Sequence, residues 1–270
     1  MNYQMLVLDL DGTLTNSKKE ITKPTYKALI EIQEAGKKVV LASGRPINGI
    51  VPLAEKLELA RFGGYMLSFN GARITQCSTG SIIYNRVLPA EVIEPVYEIT
   101  KNYPGLDILT YDQNNILSGL TVNEYTEKES YINKMEIVPV RDFVSRLTFP
   151  VNKLLITGDP SVLEELMPVL KKKFRKLLNI YRSEPFFLEI MPQNIDKANS
   201  LQKLLNSIGL TADSMICCGD GFNDISMIEY AGLGVAMENA QPLVKESADY
   251  ITKSNDDDGI LHVINTFLRS

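Results

Sequence analysis

Apolar and amphipathic blocks alternate along the amino-terminal part of the chain. Three continuous apolar runs are typical of strands buried in a parallel sheet: residues 5–8, 38–42 and 65–69. Between the first two runs, Thr22 is a candidate helix N-cap, and the predicted helix ends before Gly36. Pro46 begins a second predicted helix after the second run. This alternation predicts an α/β fold with a parallel sheet and right-handed crossovers.

The regular alternation of apolar and amphipathic segments stops at about residue 82 and resumes towards the carboxyl terminus. The middle of the chain mixes predicted helices over 88–103, 123–135 and 161–174 with predicted strands over 106–111, 153–157 and 186–191. Alternation then resumes, with strands over 214–218, 234–237 and 250–252 and helices over 196–207, 225–230, 241–247 and 259–268. We therefore predict a core formed by residues 1–82 and 189–270, with an inserted α+β domain over residues 83–188.

Two carboxylates follow the first apolar run. Asp9 and Asp11 are two residues apart, so in an extended chain they project to the same side, at the sheet edge where α/β proteins bind ligands. Carboxylates this close repel each other, which favours either a bound cation or a proton on one of them. Taken alone, the fragment fits a plain polar turn equally well. A calcium-binding loop is excluded, because Leu14 occupies the sixth position, where that loop needs glycine.

Further polar residues follow other predicted strands or begin a helix: Ser43, Lys197, Asp220 and Asp224. With Asp9 they supply three carboxylates, a hydroxyl and a lysine, which we expect on one edge of one sheet. Carboxylates without imidazole or thiolate favour a hard divalent cation, Mg²⁺ in particular. The glycines near Asp220 do not form a dinucleotide-binding fingerprint, because Asp224 stands at the third glycine position and would repel a pyrophosphate.

Composition narrows the class of protein. A net charge of −5 and a pI near 5.2 argue against a general nucleic-acid surface. No apolar segment approaches the roughly 20 residues of a transmembrane helix, and the amino terminus has no signal-sequence pattern, so we expect no membrane partner. Three cysteines, two of them adjacent, fit a reducing cytoplasm better than a disulfide scaffold. His262 is the only histidine, so carboxylates must carry the acid–base chemistry.

As a set, these residues resemble the motifs of the haloacid dehalogenase (HAD) superfamily of phosphohydrolases. Within it the chain resembles the Cof-type group, whose type IIB α/β cap is inserted after the second motif. The matching motifs are residues 9–13 (DLDGT), 43–45 (SGR), Lys197 and 219–224 (GDGFND), with further similarity at 70–72 (NGA) and in the tail over 247–259. Ser43 stands where threonine is more usual, and Ala198 stands where glycine is common. The resemblance implies a Rossmann-like, doubly wound parallel-sheet core with an inserted α+β cap that sets substrate specificity.

The resemblance also implies a role for each motif residue. Asp9 would attack phosphorus to form an aspartyl-phosphate, which water then hydrolyses. Asp11 would donate a proton to the leaving alcohol and then act as base, which requires a raised pKa in the free site. Mg²⁺ would be held by Asp9, the Asp11 main-chain carbonyl and Asp220, with Asp224 or Asn223 in contact directly or through water.

Positive charge must offset the repulsion between a carboxylate nucleophile and a phosphate dianion. By resemblance, Lys197 would bridge Asp9 and the phosphate. Backbone groups and nearby side chains would bind the remaining phosphate charge. The candidates for phosphate or substrate binding are Leu10, Gly12, Ser43, Gly44, Arg45, Asn70 and Asn223.

The expected function is a Mg²⁺-dependent phosphatase acting on a small phosphate ester, with a sugar phosphate as the first expectation. A phosphomutase or phosphotransferase acting on a hexose phosphate would use the same site, because the acceptor is water in one case and a sugar hydroxyl in the other. A binding protein for phosphorylated metabolites that has lost turnover is the third reading. We expect the protein to act in the cytoplasm.

Overall fold

A computed structural model describes residues 3–112 and 114–269. The chain divides into two compact units, one formed by residues 3–84 and 196–269 and the other by residues 85–195. The second unit ends at Ile195, later than the expected boundary at residue 188. The reason is that the strand Phe187–Pro192 pairs with Leu154–Thr157 inside the second unit. No helix within the described residues is long and apolar enough to cross a membrane.

The described residues form fourteen strands and eleven α-helices. The strands are β1 (Met5–Leu8), β2 (Lys38–Ala42), β3 (Tyr65–Ser68), β4 (Arg73–Gln76), β5 (Ile82–Asn85), β6 (Asp107–Tyr111), β7 (Asn115–Ser118), β8 (Glu136–Pro139), β9 (Leu154–Thr157), β10 (Leu178–Glu184), β11 (Phe187–Pro192), β12 (Met215–Gly219), β13 (Leu233–Ala236) and β14 (Tyr250–Ile251). The helices are α1 (Lys23–Glu34), α2 (Ile47–Lys56), α3 (Leu59–Phe62), α4 (Ala90–Thr100), α5 (Glu124–Asn133), α6 (Phe143–Arg146), α7 (Pro160–Phe174), α8 (Lys197–Ile208), α9 (Ile225–Tyr230), α10 (Pro242–Glu246) and α11 (Gly259–Phe267).

The first unit is built on an eight-stranded sheet in the order β14-β13-β12-β1-β2-β3-β4-β5. The strands from β14 to β3 are parallel, and β4 is antiparallel to β3. Leu6 and Leu8 pack in the same core as residues of α1 and α11, whereas Met5 and Val7 pack with residues of α8. Because successive side chains of a strand point to opposite faces, β1 is buried on both sides. The expected doubly wound α/β core is confirmed.

The second unit is built on a six-stranded sheet in the order β10-β11-β9-β6-β7-β8, in which only β7 and β8 pair in parallel. Helices α4 and α7 cover one face. Leu163, Leu166 and Leu170 of α7 are buried there, as their spacing of three and four residues predicts. This architecture is the expected α+β arrangement.

All predicted helices and strands are present, with ends shifted by a few residues. The sequence-based assignment missed the short helices α3 and α6 and the strands β4, β5, β7, β8 and β10. All five strands lie at the end of a sheet or next to its end: β5, β8 and β10 are terminal strands, and β4 and β7 are the next strands in. Such strands carry polar residues among few apolar ones, so their pattern alone is weak.

Candidate active site

Three carboxylates meet at the carboxyl ends of neighbouring parallel strands. Asp9 follows β1, and its amide donates to the Cys218 carbonyl of β12 at 3.1 Å, which continues the ladder. Asp220 follows β12, and Asp224 ends a 3₁₀ turn directly after it. One oxygen of each of Asp9, Asp220 and Asp224 lies within 4.8 Å of the others. Parallel strands end on the same side of a sheet, which explains why residues so far apart in sequence share one site.

Lys197 lies between two of these carboxylates. It is the first residue of α8, whose N-cap is Asp196, and it is fully buried. Its Nζ donates to Asp9 Oδ1 at 2.6 Å, to Asp224 Oδ1 at 2.5 Å and to the Ala42 carbonyl at 2.8 Å. Burial lowers the pKa of Lys197, but the charges of Asp224 and Asp9 outweigh burial and raise it above the usual range. The lysine is therefore held as a cation.

One lysine leaves the site with excess negative charge. Burial, followed by the charge of Asp224, raises the pKa of Asp9 well above its ordinary value, against the effect of Lys197. Burial also raises the pKa of Asp220 to about 6, although the Thr13 hydroxyl donates to its Oδ1 at 2.7 Å. Three converging carboxylate oxygens whose negative charge is not fully balanced are the donor set that a hard divalent cation prefers. The residues present therefore fit Mg²⁺.

Asp224 does more than contribute negative charge. Its Oδ1 accepts from Lys197, and its Oδ2 accepts from the amides of Asp220 at 3.0 Å and Gly221 at 2.9 Å. A Cβ on Gly219 would lie 2.4 Å from the Asp224 Cβ, so glycine is needed for this close approach. Asp224 thus fixes both the lysine and the loop that carries Asp220.

Asp11 has the opposite electrostatic surroundings. Its Oδ2 accepts from Arg45 Nε at 2.8 Å, and its Oδ1 accepts from Arg45 Nη2 at 2.7 Å and Lys19 Nζ at 2.8 Å. Burial alone would raise the pKa of Asp11, but the charges and hydrogen bonds of Arg45 and Lys19 lower it below the ordinary value. The expectation of a raised pKa for Asp11 is therefore wrong for this structure. Two cations favour the ionised carboxylate.

The second motif and Asn70 lie together. The Ser43 hydroxyl accepts from the Arg45 amide at 3.2 Å, and the Ser43 carbonyl accepts from the Asn70 amide at 2.9 Å. Asn70 Oδ1 accepts from Asn223 Nδ2 at 3.0 Å, which joins this cluster to the fourth motif. A Cβ on Gly44 would lie 3.1 Å from Asn70 Oδ1. The structure therefore brings Ser43, Gly44, Arg45, Asn70 and Asn223 together.

The turn after Asp11 is tightly packed against Asp220. Gly12 has a φ of +82°, and a Cβ there would lie 2.4 Å from Asp220 Oδ2. The Leu10 side chain is buried in the core beside the turn. Thr13 and Lys19 contact the candidate carboxylates without having been predicted as site residues. Thr13 was visible within the first motif, whereas nothing in the local pattern marks Lys19.

Comparison with known proteins identifies one family. The family model for haloacid dehalogenase-like hydrolases matches residues 6–264 of this chain. The Bacillus subtilis protein YcsE, a 5-amino-6-(5-phospho-D-ribitylamino)uracil phosphatase, is 30% identical over 264 residues, which cover 98% of this chain and 95% of YcsE. A solved haloacid dehalogenase-like hydrolase from Bacteroides thetaiotaomicron is 49% identical, with a TM-score of 0.94 over 98% of this chain and 99% of that one.

A second solved structure belongs to one subclass of this family. BT4131, described as a HAD subclass IIB sugar phosphatase, is 26% identical, with a TM-score of 0.81 over 98% of each chain. The family match covers the motif residues of both parts of the core and the inserted unit. The chain belongs to the haloacid dehalogenase-like hydrolases, as a phosphoric monoester hydrolase of the Cof type.

Proposed function

We propose that this hydrolase is a Mg²⁺-dependent phosphatase of a small phosphorylated metabolite, with a sugar phosphate as the preferred substrate class. The observation that carries the proposal is the buried Asp9 carboxylate, held by Lys197 Nζ at 2.6 Å beside Asp220 and Asp224. The similarity to BT4131 and YcsE supports the substrate class, since one is described as a sugar phosphatase and the other as a phosphatase of a phosphoribityl compound.

Asp9, Asp220 and Asp224 would hold the metal, with the main-chain carbonyl of Asp11 as a further ligand. When bound, Mg²⁺ would offset the charge of the three carboxylates and of the phosphate dianion. Side chains of the protein supply the other contacts to the nucleophile and the phosphate. Lys197 keeps Asp9 oriented through its hydrogen bond to Asp9 Oδ1, and the Ser43 hydroxyl would donate to a phosphate oxygen.

In the first step, an oxygen of Asp9 forms a bond to phosphorus as the bond between phosphorus and the substrate oxygen breaks. The substrate leaves as an alcohol after it takes up a proton, and the phosphoryl group remains on Asp9. In the second step, water loses a proton as its oxygen bonds to phosphorus, the bond between phosphorus and the Asp9 oxygen breaks, and inorganic phosphate and the Asp9 carboxylate are released. In this proposal, the backbone amides near Leu10, Gly12 and Gly44 would bind phosphate oxygens.

Asp11 is suited to the proton transfers because it lies two residues from Asp9 at the same end of β1. Its pairing with Arg45 and Lys19 keeps it ionised before substrate binds, which is the form needed by a base that activates water. A phosphate dianion bound beside it would offset those cations and raise its pKa. We propose that Asp11 then takes up a proton from solvent and gives it to the leaving alcohol in the first step, which returns Asp11 to the ionised form that accepts a proton from water in the second step.

The test measures phosphate release from an aryl phosphate and a panel of sugar phosphates, with Mg²⁺ or with a chelator. Asp9→Asn should lower kcat by at least about a hundredfold, because it removes the nucleophile but keeps the shape. Asp213→Asn, which changes an exposed carboxylate of the same unit, should leave the rate unchanged. Conversion of a hexose phosphate to an isomer without phosphate release would instead favour a phosphomutase. Full activity of Asp9→Asn would reject the aspartyl-phosphate.

A further inference from the structure

The loop between β14 and α11, residues 252–258, faces the segment that follows the catalytic aspartates. The loop ends in three consecutive aspartates, Asp256, Asp257 and Asp258. Asp258 precedes α11, but its side chain makes no capping hydrogen bond there, and its φ of +55° is left-handed. Its Oδ1 instead accepts from the Thr22 and Thr25 hydroxyls. The acidic run therefore binds another part of the chain.

Asp256 extends the same contact towards the active site. Its Oδ1 accepts from the Ser17 amide at 2.8 Å, and its Oδ2 accepts from the Ser17 hydroxyl at 2.6 Å. Residues 12–17 are thus anchored at their far end. They run directly from Asp11 to this anchor.

Two asparagines hold the near end of that segment through its backbone. Asn239 Nδ2 donates to the Gly12 carbonyl at 2.8 Å, and Asn255 Nδ2 donates to the Thr15 carbonyl at 2.9 Å. The Asn255 amide donates to Asn239 Oδ1 at 3.0 Å. Because Asn239 Oδ1 must accept from an N–H group, its Nδ2 is fixed as the donor to Gly12.

This segment, together with Lys19 just beyond it, supplies hydrogen-bond partners for two groups of the candidate active site. Thr13 donates its hydroxyl to Asp220 Oδ1 at 2.7 Å. Lys19, just beyond Ser17, donates to Asp11 Oδ1 at 2.8 Å. A displacement of the segment would therefore move partners of both Asp11 and Asp220. Small displacements matter here, because a shift of about 1 Å at reacting groups costs on the order of a hundredfold in rate.

We propose that Asn239 and Asn255 are positioning residues that hold the Gly12 and Thr15 carbonyls and thereby keep Asp11 and Thr13 in their catalytic places. The proposal rests on the proposed phosphatase function. Both asparagines act through the backbone of residues 12–15 and touch no candidate ligand or nucleophile side chain in the described structure. Their loss should change turnover more than substrate affinity.

The kinetic test uses Asn239→Asp and Asn255→Asp, which keep side-chain shape but place an oxygen against a carbonyl oxygen. Asn102→Asp is the matched control, since Asn102 Nδ2 also donates to a backbone carbonyl, that of Glu98 at 2.7 Å, on the surface of the second unit. We expect kcat to fall at least about tenfold in the two test variants, with KM within about threefold of wild type. The control variant Asn102→Asp should have the kcat and KM of the wild-type protein.

A second comparison separates hydrogen bonding from packing. Asn239→Ala removes the donor, the acceptor and the side-chain volume, whereas Asn239→Asp keeps the volume and the acceptor but replaces the donor with a charged oxygen. If the hydrogen bond to Gly12 positions the segment, the Asp variant should be at least as slow as the Ala variant. An Asp variant with wild-type kcat beside an impaired Ala variant would overturn the proposal.

Amide hydrogen exchange supplies a measurement that does not depend on turnover. In Asn239→Asp and Asn255→Asp, exchange should accelerate in peptides covering residues 10–18 and stay unchanged in β2, β3 and the second unit. Unchanged exchange over residues 10–18, or equal acceleration throughout the first unit, would overturn the proposal. So would local acceleration with wild-type kcat. If the wild-type protein hydrolyses no ester, the phosphatase function fails, while exchange still tests the anchoring of the segment.

Discussion

Asp9 and Asp11 are the same residue type two positions apart, yet their surroundings drive their pKa values in opposite directions. The Asp9 side chain is 10% exposed, and burial beside Asp224 raises its pKa. The Asp11 side chain is 38% exposed and is paired with two cations, which lower its pKa. Separation of two carboxylates by environment is a common basis for assigning different roles to them. This difference agrees with the proposal above, in which Asp9 lies beside a bound cation and Asp11 transfers protons.

The paired contact of Arg45 with Asp11 leads to the first prediction. Arg45→Met keeps most of the side-chain stem but removes both hydrogen bonds to the carboxylate, so Asp11 is no longer fixed in one orientation. We expect kcat for phosphate release to fall about tenfold or more. Arg61→Met is the control, because Arg61 pairs with Glu58 on the exposed surface. Equal kcat in all three proteins would contradict the positioning of Asp11 by Arg45.

Gly12 supplies a second prediction for a single residue. Gly12→Ala introduces a Cβ that would overlap Asp220 Oδ2, whereas Gly36→Ala introduces one with nothing within 4 Å. Both glycines have similar positive φ values, +82° and +87°, so both variants should lose about 1 kcal/mol of stability from backbone strain. Only Gly12→Ala should also lose most phosphatase activity. Similar activity in the two variants would show that the contact with Asp220 is unimportant.

At the scale of elements, parallel strand order explains how the site is assembled. β12, β1 and β2 are neighbours, so the residues that follow them meet although they are separated by long stretches of chain. Helix α8 then adds Lys197 from its first turn. Strand ends and helix starts are therefore informative positions for polar residues in α/β proteins.

The second unit contains a buried polar junction that also depends on strand order. Asp107 begins β6 and is fully buried. Its Oδ1 accepts from the amides of Ile108 at 2.8 Å and Leu120 at 3.0 Å. Its Oδ2 accepts from the hydroxyls of Ser118 at 2.7 Å and Thr126 at 3.0 Å. One carboxylate thus joins β6, β7 and α5.

Asp107→Ala should weaken this part of the second unit. The substitution leaves two buried amides without their acceptor, at a cost of about 3 kcal/mol in the free energy of unfolding. Hydrogen exchange should accelerate in β6 and β7, whereas the exposed Asp142→Ala should leave it unchanged. Wild-type protection of β6 in Asp107→Ala would show that water or neighbouring groups replace the carboxylate.

At the scale of the whole molecule, the excess negative charge of the carboxylate cluster in the first unit should link metal binding to the stability of the folded protein. Mg²⁺ that binds the folded carboxylate cluster stabilises the folded state by mass action. We expect Mg²⁺ at pH 8 to raise the melting temperature of the first unit by about 3 °C or more relative to a chelator. No shift at millimolar Mg²⁺ would contradict a metal site at these residues.

Asp220→Asn tests the origin of that shift. The pKa of Asp220 is raised to about 6 in the folded protein, so the stability from its proton is lost as the pH rises through about 6. At pH 8 in chelator, the variant should be at least as stable as wild type, because one buried charge is gone. Its Mg²⁺-dependent shift should be smaller. Asp213→Asn should retain the wild-type shift in the same thermal unfolding measurement.

Much of the fold was predictable because buried strands and amphipathic helices leave strong periodic patterns. β1, β2 and β12 are short and almost wholly apolar, and α7 places Leu163, Leu166 and Leu170 on one face. Strands such as β8 and β10 were missed, since their partly exposed residues are stabilised by pairing with a neighbour. Pairing is a non-local property.

The sequence by itself determined the α/β class, the strand ends that carry Asp9 and Asp220, and the presence of Lys197, because these depend on local pattern and motif spacing. Only the tertiary structure decided the ion pairs that lower the pKa of Asp11 and the contacts of Asn239 and Asn255. Lys19 and Arg45 reach Asp11 from different loops, and the two asparagines lie more than two hundred residues from the carbonyls they hold. Electrostatic energies depend on distance in space, and the fold alone sets those distances.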